Sequence, residues 1–438
     1  MRHRIRHLLG IVGAATALAT MATLTTAPGA SASPATVPAP AGPWGSFYDP
    51  PAVLPGTAPG DVIRQQPFAV PLSVPTGDGT FPGSARRIMY RSLDEHDRPV
   101  AVTGTYFEPS SPWRGRGPRP LVSLASGTIG AGRQCAPSIA LQSLVQYRPP
   151  IDASIAYEQI AVDYLLSRGM AVVFTDYLGL GTPGPHPYAN RVDSAHAVID
   201  AARAAVRLPR TSLTSASPVA FWGYSQGGHA VAAAAELQPA YAPEMRLVGT
   251  YSGAPPVQLA DTLARAEGST LIGAVGYFLN GAVRTNPEIE PVLERVLNAS
   301  GRAMMRDTAN QCVLQTLGYS FQRSSQWTKS GGSLGTAVMN DPVGRRVVEE
   351  QTVGRLTPTS PVLLSSNVND DAVPTRNVRV LASTWCGRGV PVTLDLIPFP
   401  PLLPGTAVGH ALPEITNVPG AARWVEDRFT GVPVPRCR

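Results

Sequence analysis

The chain has 438 residues, with 36 Lys and Arg against 30 Asp and Glu and a formal net charge of +6. Apolar residues are 43% and charged residues 15%, which excludes a wholly disordered chain and leaves room for a substantial buried core. Gly (42) and Pro (45) together fill about a fifth of the positions, below the roughly 25–30% that marks low-complexity disorder.

Residues 1–32 carry Arg2, Arg4 and Arg6 without an acid, then an apolar run from Leu8 to Leu24, then Ala30-Ser31-Ala32. That is the pattern of a secretory signal peptide, with cleavage expected after Ala32. Removing those three Arg halves the net charge. The remaining basic residues, all Arg except Lys329, form no stripe with interleaved aromatics, so nucleic acid is not an expected partner. Residues 33–60 are rich in Pro, Ala and Gly and read as an extended N-terminal arm.

Strand-like stretches at 85–92 and 100–107 flank the polar turn Asp94–Arg98 and predict a hairpin. Thereafter the chain alternates. Strands are predicted at 120–125, 170–175, 218–224 and 246–251, and helices at 155–168, 192–208 and 229–237. The helix at 155–168 rests on Ile155, Ile160, Ala161, Tyr164 and Leu165. Strands alternating with helices imply an α/β fold, a mostly parallel central sheet covered by helices on both faces. From 257 to 357 the periodicity turns helical or irregular, which reads as a helical cap inserted into a core of 61–256 and 358–438. Within it, Leu271, Ile272, Val275, Phe278, Leu279 and Val283 form an apolar face, expected to pack on the sheet domain, to line a pocket, or both. Strands resume at 361–365 and 390–399, with a helix at 421–429.

The pattern G-x-S-x-G occurs at Gly223–Gly227 around Ser225 and at Gly331–Gly335 around Ser333. A nucleophile elbow needs a strand before the serine and a helix after it. Only Ser225 has both, so Ser333 reads as a loop residue. A serine hydroxyl needs a base, usually His held by a carboxylate, and in α/β-hydrolases the chain order is Ser, acid, His. His229 and His410 follow Ser225. His229 is tied to the elbow helix, whereas His410 follows the last strand in a loop before a helix, where the base belongs. The acid is expected after the strand at 361–366. Asp370 is favoured over Asp371 because it stands four residues before Pro374, and Asp395, inside a strand, ranks third. One oxyanion donor is expected from Gln226 and a second from Thr128 or Ile129, in the Gly-containing turn after the strand at 120–125.

Gly179–Gly184 matches G-x-G-x-x-G, but Pro183, Pro185 and Pro187 prevent the helix that would hold a pyrophosphate, so no nucleotide is expected. There is no H-E-x-x-H and no paired C-x-x-C, so neither metal nor cofactor is expected. Cys135, Cys312, Cys386 and Cys437 suggest two disulfides in an exported chain and allow three pairings. A Cys386–Cys437 bond would tether the C-terminus.

Gly127-Thr128-Ile129-Gly130, Cys135-Ala136-Pro137-Ser138, Asp176-Tyr177-Leu178-Gly179-Leu180-Gly181 with His186-Pro187-Tyr188, and Gly223-Tyr224-Ser225-Gln226-Gly227-Gly228 together resemble the secretory lipase family of actinobacteria and fungi, the lipase A type. The resemblance spans roughly residues 60–430. It implies an α/β-hydrolase fold with a helical cap between the nucleophile and acid strands, lipase or carboxylesterase activity, and a Cys135–Cys312 disulfide. Its catalytic residues fall on Ser225, Asp370 and His410. A monomeric, secreted hydrolase of lipid or small esters is the resulting expectation, with transient contact at a lipid interface. Two alternatives stay open. One is a capped exopeptidase or acyltransferase, in which Glu288, Glu290 and Glu294 of the cap would bind a free amine. The other is a non-catalytic binding protein of hydrolase descent.

Overall fold

The computed structural model describes residues 46–69, 74–76, 79–143, 145–148, 152–435 and 437. The expected signal segment and the arm up to residue 45 lie outside the described residues.

In chain order the strands are β1 (Val62–Phe68), β2 (Val74–Thr76), β3 (Gly79–Phe81), β4 (Gly83–Leu93), β5 (Pro99–Pro109), β6 (Leu121–Ala125), β7 (Val145–Arg148), β8 (Asp152–Ile155), β9 (Ala171–Thr175), β10 (Val219–Tyr224), β11 (Leu247–Gly253), β12 (Val362–Asn367) and β13 (Val392–Ile397). The helices outside the insert are α1 (Pro137–Ala140), α2 (Gln159–Ser167), α3 (Arg191–Arg207) and α4 (Gln226–Tyr241). Those between β11 and β12 are α5 (Leu259–Ala266), α6 (Ala274–Thr285), α7 (Glu290–Val296), α8 (Ala299–Thr308), α9 (Val313–Thr316), α10 (Leu334–Asn340) and α11 (Pro342–Glu350). Then come α12 (Thr375–Gly387), α13 (Val408–Thr416) and α14 (Val418–Phe429).

Nine strands form one sheet in the order β1-β4-β5-β9-β6-β10-β11-β12-β13. The last six are mutually parallel, while β1, β4 and β5 make an antiparallel edge. Strands β6, β9, β10 and β12 are buried at every position, as helices on both faces of a parallel sheet require. Ala supplies much of the facing helix surface, with Ala201, Ala204, Ala230 and Ala233 fully buried. Small side chains let α3 and α4 approach closely, and the His196 ring of α3 stacks on Tyr241 of α4 at 3.9 Å. This is an α/β-hydrolase fold, with the seven helices between β11 and β12 as its cap.

Four expectations change. The strand β1 is missed by the sequence reading because Val62–Phe68 (VIRQQPF) is an edge strand without apolar alternation. The helix expected at 155–168 starts only at Gln159, because Asp152–Ile155 pairs with Val145–Arg148 as a hairpin. Ile155 and Ile160 are exposed, while Ala161 and Leu165 are buried as expected, together with Val162 and Leu166. The arm ends in an anchor, since Tyr48 is buried and hydrogen-bonds Ser138 Oγ at 2.9 Å. The apolar face in the insert packs chiefly within the insert, where Ile272, Phe278 and Leu279 join Leu293, Trp327 and Val347 in a second hydrophobic cluster.

Disulfides Cys135–Cys312 and Cys386–Cys437 form. The first fastens the insert to the loop after β6, where Gly130 also bridges to Cys312. Among the described residues no helix is long and apolar enough to cross a membrane.

Candidate active site

The strand β10 ends at Tyr224 and α4 begins at Gln226, so Ser225 alone makes the turn. Its φ is +56°, a conformation that costs a non-glycine residue energy and persists only where its surroundings enforce it. The Ser225 N–H donates to the Gly253 carbonyl at 2.9 Å, and the Ser225 carbonyl accepts from His229 N–H at 3.0 Å. Glycine is required on both sides by close approach. A Cβ on Gly223 would lie 2.2 Å from the Gly227 carbonyl oxygen, and one on Gly227 would lie 2.1 Å from that of Ala125.

The structure brings His410 and Asp370 to this serine. His410 Nε2 lies 2.8 Å from Ser225 Oγ, and Nδ1 lies 2.8 Å from Asp370 Oδ2. His410 sits in the first turn of α13 rather than in the loop before it, because Ala407, at φ +64°, ends the loop early. Tyr224 O–H donates to the His410 carbonyl at 2.7 Å and holds the base helix to the end of β10. Asp370 is oriented by its own turn, its Oδ1 accepting the N–H groups of Ala372 and Val373 at 2.9 and 2.8 Å. Asp371 does another job. Its carboxylate accepts the N–H groups of Ala407 and His410 at 2.8 and 3.1 Å and so fixes the start of α13. Asp395 is engaged by Asn417. Burial pushes the His410 imidazole pKa down, but the charge and hydrogen bond of Asp370 and the charge of Asp371 outweigh it, so the pKa is raised.

A cavity of about 80 Å³ opens beside Ser225 and His410. Thr128 and Gln226 line it, together with Tyr188 and the apolar side chains Leu259, Leu263, Leu271, Val275, Phe278, Ala372 and Val373. Leu263, Val275 and Phe278 also wall a second apolar cavity of about 260 Å³ inside the insert. Gln226 is the first residue of α4, so its N–H has no carbonyl within the helix to bond. Of the two residues expected in the early turn, Thr128 reaches the cavity. Ile129 does not: it is buried in the main core, and its carbonyl accepts from Val313 N–H.

Three neighbours are not among the site residues expected from the sequence: His186 and Tyr188 enter only through the motif that carries the family resemblance, and Glu158 leaves no signal. Tyr188 O–H meets Thr128 Oγ1 at 2.7 Å. His186 Nε2 lies 3.0 Å from Gln226 Nε2, while its Nδ1 lies 2.8 Å from the Leu178 carbonyl, so the ring donates through Nδ1 and accepts through Nε2. Burial lowers the His186 pKa to about 4, which keeps that ring neutral. Glu158, just before α2, accepts Ser126 O–H and Gly127 N–H on one oxygen at 2.6 and 2.9 Å and thereby fixes the turn that presents Thr128.

Other candidates lie elsewhere. Ser333 lies at the end of a loop, as expected, where it is the N-cap of α10 and its Oγ accepts from Thr336 N–H. His229 is buried under the elbow and bonds the Gln351 carbonyl. Glu288, Glu290 and Glu294 are exposed, none lines the cavity, and Glu288 pairs with Arg346. The stretch Gly179–Gly184 runs into a loop, and the next long helix starts at Arg191, capped by Asn190. No group of His, Cys, Asp or Glu among the described residues is placed to hold a metal ion.

The family profile of secretory lipases matches residues 146–436. Among curated proteins, the chain is 26% identical over 395 residues to a Mycobacterium tuberculosis (strain CDC 1551 / Oshkosh) protein named probable inactive lipase, covering 89% of this chain and 82% of that one. It is also 26% identical over 403 residues to lipase 10 of Candida albicans (strain SC5314 / ATCC MYA-2876), covering 89% and 81%. Among solved structures, Candida antarctica lipase A superposes with a TM-score of 0.72 at 22% identity over 90% of this chain and 86% of that one. The rice cell wall degrading esterase LipA of Xanthomonas oryzae superposes at 0.70 with 20% identity, over 85% of this chain and all of that one. The two structural likenesses support the α/β-hydrolase fold. The profile match extends over well more than half of the sequence, and on that ground the chain belongs to the secretory lipase family.

Proposed function

We propose that this protein is a secreted serine hydrolase of carboxylic esters, with acylglycerols as the favoured substrate class, and that its signal peptide is cleaved after Ala32. Ser225 attacks the ester carbonyl while His410 Nε2 takes its proton, and His410 then returns that proton to the leaving alcohol. Asp370 holds the imidazole in the required tautomer and stabilises its cation. Gln226 N–H and the N–H at Thr128 receive the oxyanion. Water attacks the acyl-enzyme with His410 again as base, releasing the acid and restoring Ser225. The acyl group occupies the apolar cavity under the insert.

The observation that carries this reading is the continuous hydrogen-bonded set from Ser225 Oγ through His410 to Asp370, beside an apolar cavity. The name of the mycobacterial relative favours a second reading, a binding protein that has kept the scaffold without the chemistry. A fluorophosphonate probe separates the two. Labelling at Ser225, together with turnover of p-nitrophenyl esters, is expected. An unlabelled, folded protein would leave the binding reading standing. Rates across an ester series from short to long acyl groups, with an aminoacyl anilide as control, then define the substrate and test the peptidase alternative.

A further inference from the structure

Glu158 and Glu414 lie outside the set formed by Ser225, His410 and Asp370, yet each touches an element that positions it. Glu158 carries the turn at Ser126 and Gly127. Glu414 stands one helical turn after His410 on α13. Glu158 and Glu414 line the same small space, together with Tyr157, Trp222, Tyr224 and Tyr251. Glu158 is 6% exposed, and its second oxygen, Oε2, is buried without a hydrogen-bond partner among the described protein groups. Neither carboxyl forms an ion pair with Lys, Arg or His among the described residues.

Two acids facing one small, largely apolar space without a cation cannot both be charged at modest cost, although Glu414 is only half-buried. We propose that Glu414 is protonated and donates its O–H to Glu158 Oε2, so that the pair is a positioning strut between the oxyanion turn and the helix bearing the base. The ionisation pattern agrees. Burial raises the Glu158 carboxyl to about 7, although Ser126 O–H, its own backbone N–H, the Gly127 N–H and the Tyr157 O–H lower it. Burial and then the charge of Glu158 push Glu414 well above the usual carboxylate range. The other titratable groups facing the pair are the phenols of Tyr157, Tyr177, Tyr224 and Tyr251, all raised by burial and therefore neutral. As pH rises the shared proton leaves to solvent, two anions face each other, and the turn carrying Thr128 is pushed out of register with Ser225. Oxyanion donors tolerate displacements of only about 0.5 Å.

The strut deepens the hydrolase reading and rests on it. The test follows kcat and KM for p-nitrophenyl butyrate from pH 5 to pH 10 in the wild type, Glu414→Gln and Glu414→Leu. A Gln amide donates to Glu158 at every pH. Glu414→Gln is therefore expected to move the alkaline loss of kcat upward by about one pH unit or more. Glu414→Leu leaves Glu158 unpaired and is expected to lose about tenfold in kcat with KM nearly unchanged. A carboxylic-acid C=O band in the wild-type minus Glu414→Gln infrared difference spectrum at neutral pH, fading as pH rises, reports the shared proton without any turnover; the subtraction removes other buried acids such as Asp193, which burial raises to about 7. Superimposable pH profiles for wild type and Glu414→Gln, or no such difference band, would overturn the strut. Activity surviving Ser225→Ala would instead overturn the hydrolase reading, and the band would still report whether the carboxyl groups share a proton.

Discussion

The pentapeptide pattern G-x-S-x-G appears once in the sheet and once in the insert, and the two copies end in different structures. At Ser225 the chain arrives on a fully buried strand, turns through a positive φ, and leaves as a sixteen-residue helix. At Ser333 it arrives through an exposed Gly/Ser loop, keeps an ordinary φ of −58°, and opens a seven-residue helix whose first turn the hydroxyl caps. One hydroxyl meets an imidazole; the other meets a backbone amide. The contrast extends to the regions around them. The sheet fixes positions through backbone register, with parallel pairings on both sides of β10. The insert is built of short helices around its own apolar cluster and presents Leu263, Val275 and Phe278 to the cavity. The proposed chemistry sits on the sheet, and the insert supplies much of the apolar wall of the cavity beside it.

The division makes predictions that fall from the largest effect to the smallest. Ser225→Ala is expected to lower kcat by about four to six orders of magnitude and to abolish fluorophosphonate labelling. A label recovered on a Ser333 peptide would reverse the comparison. Asp370→Asn is expected to cost about 10⁴-fold in kcat. Its pH profile carries a sign as well. The Asp370 charge favours the imidazolium and raises the His410 pKa, so losing it lets the base stay neutral to lower pH. The residual activity should therefore show an acid limb shifted downward, read from kcat against pH.

The joint between the two regions comes next. Cys135 and Cys312 are 177 residues apart, and replacing both by Ser should destabilise the folded protein by roughly 2–5 kcal/mol, measured by denaturant unfolding of the intact chain. Phe278→Ala removes part of the wall between the two cavities. It should raise kcat/KM for long-chain over short-chain esters by about tenfold, within the range that a few methylenes provide in an apolar pocket. An unchanged ratio would mean that the insert does not select the acyl group. The smallest effect belongs to Ser333→Ala, which should cost about 1 kcal/mol of stability as a lost helix cap, while turnover of a short-chain ester stays within about twofold.

The strand–turn–helix around Ser225 was legible because every step has a local signature: an apolar run, a glycine-flanked serine, and an alanine-rich helix. Chain order pointed to His410 and to the pair Asp370 and Asp371 by the same logic. Choosing between the two acids was a matter of one residue of spacing in the sequence. In the structure they differ by where the turn aims them, one carboxylate at the imidazole and one at the backbone of α13. The edge strand β1 left no usable periodicity, because half-exposed strands with mixed side chains look like loops, and the β7–β8 hairpin left none because its strands are only four residues long.

By itself the sequence determined the alternation of strands and helices, the interruption of that alternation by a long helical segment, and the elbow serine. All of these depend on residues close together in the chain, where periodicity and turn chemistry act directly. Only the tertiary structure decided which early-turn residue reaches the cavity, what caps α13, and that Glu158 and Glu414 line one small space. Those outcomes depend on residues 36 to more than 250 positions apart converging at one end of the sheet, and no local pattern encodes which side chains a crossover brings face to face.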